Sequence, residues 1–203
     1  MKALAVVAVL CGAAHAEPAV RATITHDVTE RDARGVTRTT RYEERFERAG
    51  DNVWLERIAP EQPTAGELDL ELAARWWTRA ADGAARVVLA STPQRTLVEL
   101  TPNEARDRGI ADRWLLAAAL VDRTGFTAGA AERGGRWFER STRGEVVRVL
   151  WSEALAIPLV VEVKSRDGRF VSRTVVEAVA GAGTQPWARA QRYHRIELSD
   201  LED

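Results

Sequence analysis

Apolar and polar residues alternate along most of the chain, and this pattern predicts β-strands. Val20, Ala22, Ile24 and Val28 alternate with polar residues, which is the two-residue period of a strand with one face in water. Similar runs predict strands at 36–47, 53–58, 72–79, 86–90, 96–100, 136–142, 145–151, 159–166 and 169–179. Turn residues separate these short runs, so the sequence predicts a mainly β (α+β) fold with an antiparallel sheet of about nine or more strands.

One helical segment interrupts the strands. Thr101-Pro102-Asn103-Glu104 has the spacing of a helix-capping box with proline at the first helical position. In residues 111–121, Trp114, Leu115 and Ala118 belong to a wide apolar stripe at helical spacing. A helix this apolar packs on a hydrophobic surface, which we expect to be one face of the sheet.

Three further segments carry predictions of their own. The Gly- and Ala-rich residues 125–135 predict a loop. Asp167-Gly168, between two strand runs, predicts a β-hairpin with a type I′ turn. Residues 181–203 are turn-rich and end in acidic residues, so we expect a partly ordered tail that packs through Trp187 and Tyr193.

The first sixteen residues have the layout of a secretory signal peptide. Lys2 precedes an unbroken apolar run over residues 3–10, and Ala14-His15-Ala16 offers small residues at a cleavage site. The run is shorter than the ~20 apolar residues that a membrane-spanning helix needs. We therefore expect export to the periplasm, with Cys11 removed together with the signal.

Composition limits what residues 17–203 can be. They are long enough for one domain with its own core, and without Cys11 they can form no disulfide. The formal net charge of −1 becomes more negative when Lys2 is lost, which argues against nucleic acid as a partner. Arginine supplies nearly all the basic residues; it suits phosphate or carboxylate capture, but its interleaving with Glu and Asp favours a compositional bias.

One stretch of about thirty residues carries a resemblance to a known family. Leu150-Trp151 ends a strand run, a short loop with Ile157-Pro158-Leu159 leads into the next run, and Asp167-Gly168 forms the following turn. This order, with the apolar helix and the export signal, resembles the LolA/LolB-like periplasmic lipoprotein-binding superfamily at the level of the scaffold. The resemblance implies a curved antiparallel sheet, an incomplete β-barrel, with one apolar helix on its concave face. It also implies that the concave face holds acyl chains or other apolar ligands.

Seven tryptophans are many for a chain of this length, and six of them belong to the candidate ligand-binding set. An aromatic-lined cleft between sheet and helix is one interpretation, and ordinary core filling by large rings is the other, which we favour. Trp76 and Trp77 are adjacent in a strand run, so they point to opposite faces of the sheet. The candidate ligand-binding set is Trp54, Trp76, Trp77, Trp114, Leu115, Ala118, Trp137 and Trp151.

Histidine offers a different hypothesis. His26 lies in phase with the apolar residues of the first strand run, and His194 lies in the tail. Together they could serve a metal- or haem-associated accessory protein, although metal sites use three or four protein ligands. A half-buried His26 bonded to a backbone group or a carboxylate is the interpretation we favour.

Catalytic motifs do not stand out. Glu43 and Glu44 are adjacent in a strand run and point to opposite faces, and no serine lies in G-x-S-x-G. We therefore expect a non-catalytic protein without a cofactor that binds an apolar small molecule, a lipid or a lipoprotein. A purely structural interaction module that uses its sheet edges is a third hypothesis.

Overall fold

The structure is a computed structural model, and it describes residues 17–58, 68–80, 84–110, 125–132 and 134–201. Two sequence predictions lie outside these residues. They are the signal peptide at 1–16 and the helix at 111–121 with Trp114, Leu115 and Ala118.

The described residues contain twelve strands in one sheet. They are β1 (Val20–Arg31), β2 (Thr37–Ala49), β3 (Asn52–Ile58), β4 (Ala74–Arg79), β5 (Ala85–Ser91), β6 (Thr96–Glu99), β7 (Thr127–Glu132), β8 (Gly135–Ser141), β9 (Glu145–Ser152), β10 (Ile157–Ser165), β11 (Phe170–Ala180) and β12 (His194–Glu197). Two short helices, α1 (Pro102–Asp107) and α2 (Pro186–Ala190), and a 3-10 helix over Leu198–Leu201 accompany them.

Two antiparallel meanders stand side by side in this sheet. The strand order is β12-β6-β5-β4-β3-β2-β1-β11-β10-β9-β8-β7, so β1 to β6 form one meander and β7 to β11 the other. β1 pairs with β11 along almost its whole length and joins the two. β12 adds in parallel to β6, and with β7 it forms the two edges of a sheet that is not closed into a barrel. The prediction of a mainly β fold with an antiparallel, incompletely closed sheet is confirmed.

Strands β7 and β12 were missed by the sequence pattern. The predicted loop at 125–135 is wrong for β7, because every residue of Thr127–Glu132 is exposed and an exposed strand shows no apolar alternation. β12 has only four residues and is held by parallel pairing to β6. In both cases pairing with a neighbouring strand, rather than burial of side chains, keeps the backbone extended.

The hairpin between β10 and β11 forms as predicted, with a different turn. Gly168 has φ of +71°, but Asp167 does not share a positive φ, whereas a type I′ turn needs it at both positions. The Ser165 hydroxyl instead donates to the Asp167 carboxylate and accepts from the Phe170 backbone N–H. Four residues therefore connect the strands, and side-chain bonds shape the turn.

Helix α1 starts where the sequence predicts. The Thr101 hydroxyl accepts from the Glu104 backbone N–H, and the Glu104 carboxylate accepts from the Thr101 backbone N–H, which completes the capping box. These hydrogen bonds lower the pKa of Glu104 below its ordinary value. Ala105 is buried, so the helix packs through one small residue onto the sheet.

One face of the sheet, called the apolar face, carries the main core. The register places alternate residues of β1 to β6 and β11 on it, and Ile110 after α1 packs against them. Its buried residues include Ile24, Phe46, Leu55, Trp77, Leu89, Val98 and Ile157. The chain after α1 therefore packs on this face through Ile110.

The opposite face, called the second face, is covered by the segment after β11. Trp187 and Ala190 of α2 are buried against Trp54 and Trp76. The buried Glu47 carboxylate accepts from the Thr184 N–H and hydroxyl and from the Gln185 N–H. A Cβ at Gly183 would lie 2.6 Å from this carboxylate, so glycine allows the close approach that seats α2.

Arg48 links β2 to two other parts of the chain from within the core. Its side chain is 1 % exposed, and its guanidinium donates to the carbonyl oxygens of Pro18, Leu155 and Ala156. Burial lowers the pKa of this guanidinium, but an arginine remains charged in proteins at neutral pH. The bonds fix the chain before β1 and the β9–β10 turn against β2.

We predict that Arg48→Met lowers the free energy of unfolding by about 3 kcal/mol, because it leaves buried carbonyl oxygens without a donor. The control is Arg45→Met on the same strand, whose exposed guanidinium pairs with Glu56 at 3.3 Å and whose loss should cost about 0–1 kcal/mol. Urea unfolding measures both. Equal effects of the two substitutions would contradict the role given to Arg48.

Candidate functional site

The structure separates the predicted tryptophans between the two faces of the sheet. Trp77 belongs to the core of the apolar face, and Trp151 lies on the same face with Phe138 and Val149. Trp54 and Trp76 are cross-strand partners in the cluster of the second face. Trp137 pairs with Leu150 on the second face, where it stacks under Arg148 at 4.6 Å. Of the described candidates, Trp77 and Trp151 therefore share the apolar face, and Trp54, Trp76 and Trp137 share the second face.

Two buried tryptophans differ in how their indole N–H is used. Trp77 Nε1 donates to the Ile110 carbonyl oxygen at 2.8 Å and holds the chain after α1 on the apolar face. Trp54 is 1 % exposed, and its Nε1 has no hydrogen-bond partner in the part of the chain that the structure describes. Trp77 thus fixes a connection, whereas Trp54 contributes packing alone.

A polar cluster interrupts the apolar face at β1, β2 and β11. His26 Nε2 lies 2.8 Å from Glu44 Oε2, and His26 Nδ1 lies 3.1 Å from Thr174 Oγ1. The imidazole stacks on Tyr42 with 4.5 Å between ring centroids and 16° between planes. These groups meet because Tyr42 and Thr174 flank His26 directly in the ladder. We call these four residues the His26 cluster.

Two arginines extend the His26 cluster toward β3 and β4. Arg75 Nη1 lies 3.8 Å from Glu44 Oε1, and the Arg57 guanidinium stacks on Tyr42 at 4.6 Å from the ring centroid. Glu44 is 8 % exposed, so its charge is compensated by partners on both sides. The cluster is a satisfied polar island within an apolar surface.

The Thr174–His26–Glu44 chain has the order hydroxyl, imidazole, carboxylate. That order occurs in hydrolytic triads, which also need donors for a developing oxyanion. Here the three residues lie within the paired ladders of β1, β2 and β11, whose backbone N–H groups serve the sheet. The arrangement orients the imidazole and keeps the buried carboxylate bonded.

The two histidines of the metal hypothesis lie far apart in the sheet. His26 is on β1 and the exposed His194 starts β12, with five strands between them in the sheet order. Among the described residues, no group of three or more His, Cys, Asp or Glu side chains could hold a metal ion. The structure therefore does not bring His26 and His194 together.

An apolar strip continues the row of the His26 cluster across the second meander. The register runs from Thr174 to Val161, then to Val149 and Phe138. Phe138 and Val149 are buried, whereas four neighbours are only half-buried. The apolar strip consists of Phe126, Phe138, Val147, Val149, Val161 and Val163.

Arg140 borders the apolar strip near the C-terminal end of β8. Its guanidinium stacks on Phe126 at 4.9 Å from the ring centroid, and it is paired across the ladder with Val147. Arg140 Nε is buried and has no hydrogen-bond acceptor within the described ranges. Arg140 Nη2 lies 4.0 Å from Glu145 Oε1. A cation therefore lies beside half-buried apolar side chains, which is a suitable environment for an amphiphile.

Sequence reasoning favoured a bond from His26 to a carboxylate without identifying it as Glu44, and it missed Thr174 and the apolar strip. Glu44 is in phase with Tyr42 and Phe46, so a carboxylate on a face otherwise apolar was the available signal. Thr174 gave no signal, because its place beside His26 depends on the pairing of β1 with β11. The strip depends on the same long-range pairing.

No helix in the described part of the chain is long and apolar enough to cross a membrane.

Comparisons with known proteins give distant structural likenesses. No protein-family model matches the sequence, and no curated protein matches it. A LolA superfamily protein from Nitrosomonas europaea is similar at 9% identity, with 84% of this chain and 89% of that chain covered and a TM-score of 0.36. A Vibrio parahaemolyticus domain described as an outer membrane lipoprotein-sorting protein has 12% identity, coverages of 85% and 92%, and a TM-score of 0.36.

A third likeness is to a chain of the Pseudomonas aeruginosa MucA/MucB complex, at 12% identity and a TM-score of 0.39. It covers 83% of this chain but only 54% of that chain, so this chain spans about half its length. The structural neighbours thus include LolA superfamily proteins, as the scaffold-level resemblance in the sequence predicted.

We predict that Trp77→Phe destabilises the protein more than Trp54→Phe, by about 1–3 kcal/mol, because it leaves the buried Ile110 carbonyl oxygen unpaired. Both substitutions remove the same ring atoms from buried positions, so each serves as the volume control of the other. Chemical unfolding followed by circular dichroism gives the difference. A larger loss for Trp54→Phe would contradict the assigned roles of the two indoles.

Proposed function

We propose that the protein is a non-catalytic periplasmic binding protein that holds the acyl chain of a lipid or lipoprotein on the apolar strip. The observation that carries this proposal is the half-burial of Phe126, Val147, Val161 and Val163 on the same face as the closed core. Water contact with these side chains is unfavourable by about 25 cal/mol per Å² of apolar surface. An acyl chain laid along the strip would remove that contact.

Polar groups on both sides of the apolar strip suit an amphiphilic ligand. Ligand sites combine mostly apolar walls with a few polar groups that fix orientation. The His26 cluster adjoins the strip on one side, through the pairing of Thr174 with Val161. Arg140 adjoins it on the other, through its pairing with Val147. In this proposal Arg140 contacts the polar end of the ligand, and the strip contacts the chain.

Binding of a brominated fatty acid should quench Trp151 and leave Trp137 unaffected. Trp151 packs with Phe138 and Val149 on the apolar face, whereas Trp137 lies on the second face, and bromine quenches only an indole that it contacts. Quenching should therefore be strongly reduced in Trp151→Phe and retained in Trp137→Phe. Fluorescence titration of both variants measures it.

A second pair of variants separates binding from folding. Val160 and Val161 are adjacent, half-buried residues of β10 on opposite faces, so Val161→Asp should weaken acyl binding at least tenfold and Val160→Asp should not. Equal quenching of Trp137 and Trp151, or equal affinity of the two Asp variants in folded protein, would refute the strip as the site.

Export is the other part of the proposal, and it is supported by the signal-like pattern of residues 1–16. Expressed in a Gram-negative bacterium, the chain should be recovered from the periplasm with Glu17 as its first residue. Intact mass and N-terminal sequencing of the periplasmic fraction measure this. Recovery of chain beginning at Met1 in the cytoplasm would contradict export.

A further inference from the structure

Three arginines line one cleft on the side of the sheet that α2 covers. The cleft has a volume of about 320 Å³ and is lined by Thr92, Arg95, Arg189, Arg192 and Tyr193. All three arginines are exposed. Three of the five lining residues are thus cationic, and none is acidic.

Contacts of the backbone around α2 fix the positions of these arginines at the cleft. Trp187 and Ala190 anchor α2 in the core of the second face, which leaves the intervening Arg189 outside. The turn after α2 is closed by the Tyr193 N–H donating to the Ala190 carbonyl oxygen at 2.9 Å. The His194 N–H donates to the Arg95 carbonyl oxygen, also at 2.9 Å. The β5–β6 turn and the segment after α2 are therefore bonded to each other across the cleft.

The charge of the three arginines is not compensated within the protein. Arg45 pairs with Glu56 at 3.3 Å, and Arg195 pairs with Glu99. Among the residues that the structure describes, Arg95, Arg189 and Arg192 form no ion pair or side-chain hydrogen bond. Like charges gathered in one concave site repel each other and concentrate a positive potential there, which an anion would relieve.

The backbone of Arg95 has a conformation that is unusual for arginine. Arg95 has φ of +51°, a left-handed conformation that glycine and asparagine adopt far more readily than arginine. A turn that needed only the backbone shape would favour glycine. Glycine at this position would therefore keep the turn and remove only the guanidinium.

The cleft also has room for a ligand larger than a single ion. It shares Thr92 and Arg95 with a neighbouring cleft of about 510 Å³. It shares Arg189 and Arg192 with another of about 520 Å³ that runs along α2. A charged group bound by the three arginines could carry an organic substituent into either neighbour.

We propose that this cleft binds a phosphate group, as inorganic phosphate or as the phosphate headgroup of a lipid. A phosphate monoester carries close to two negative charges and three strong acceptor oxygens, which several guanidiniums can share in bidentate contacts. A single carboxylate would use only part of this donor set. The site lies on the face opposite the apolar strip, so it does not depend on acyl binding there.

The test is calorimetric titration of the full chain with inorganic phosphate at low ionic strength. Arg189→Gln/Arg192→Gln should weaken binding at least tenfold, since each charge-assisted contact is worth roughly a factor of ten. The control Arg34→Gln/Arg38→Gln removes the same charge from two exposed positions at the far end of β1 and β2 and should leave the affinity within twofold. Arg95→Gly should weaken phosphate binding while keeping the unfolding midpoint, because glycine suits the positive φ.

A parallel titration with a short-chain phosphatidic acid below its micelle concentration distinguishes the two sources of phosphate. Affinity at least tenfold above that of inorganic phosphate, with the same dependence on Arg189 and Arg192, assigns a lipid headgroup; equal affinity assigns free phosphate. The absence of binding by both probes would overturn the proposal. So would binding that falls equally in the cleft variants and in the Arg34/Arg38 control, since that indicates net charge alone.

Discussion

The pairing of β1 with β11 is the interaction on which the rest of the structure depends. β1 forms a continuous antiparallel ladder with β2 on one side and with β11 on the other. Without the second ladder the two meanders would be separate sheets, each with one more free edge. The pairing also fixes register, and a slip of one residue would turn every side chain of β1 to the opposite face.

That register creates the site as well as the scaffold. It sets Thr174 beside His26 and thereby continues the row of the His26 cluster into Val161, Val149 and Phe138. Arg48 supports the same junction from within the core, because it bonds the chain before β1 to the β9–β10 turn. A polar island, a half-buried apolar strip and a closed core therefore share one face for one topological reason.

The sequence predicted local features well and long-range ones poorly. Period-two runs located most strands, and the spacing of Thr101 and Glu104 located the start of α1, since both signals are contained in neighbouring residues. The opposite orientation of Trp76 and Trp77 followed from strand geometry alone. Both indoles are nevertheless buried, because α2 covers the second face. The small, exposed residues of β7 carry no periodic signal, and the contacts of Glu44 and Thr174 with His26 require knowledge of which strands are neighbours.

The central claim is that the apolar strip, rather than the face covered by α2, receives the acyl chain. The most direct measurement is photo-crosslinking with a diazirine-bearing fatty acid, followed by mass-spectrometric mapping of the labelled residues. The account predicts labels at Val147, Val161, Val163 and Phe126. Labels confined to α2 and the second face, or none above the level of a protein-free control, would contradict it.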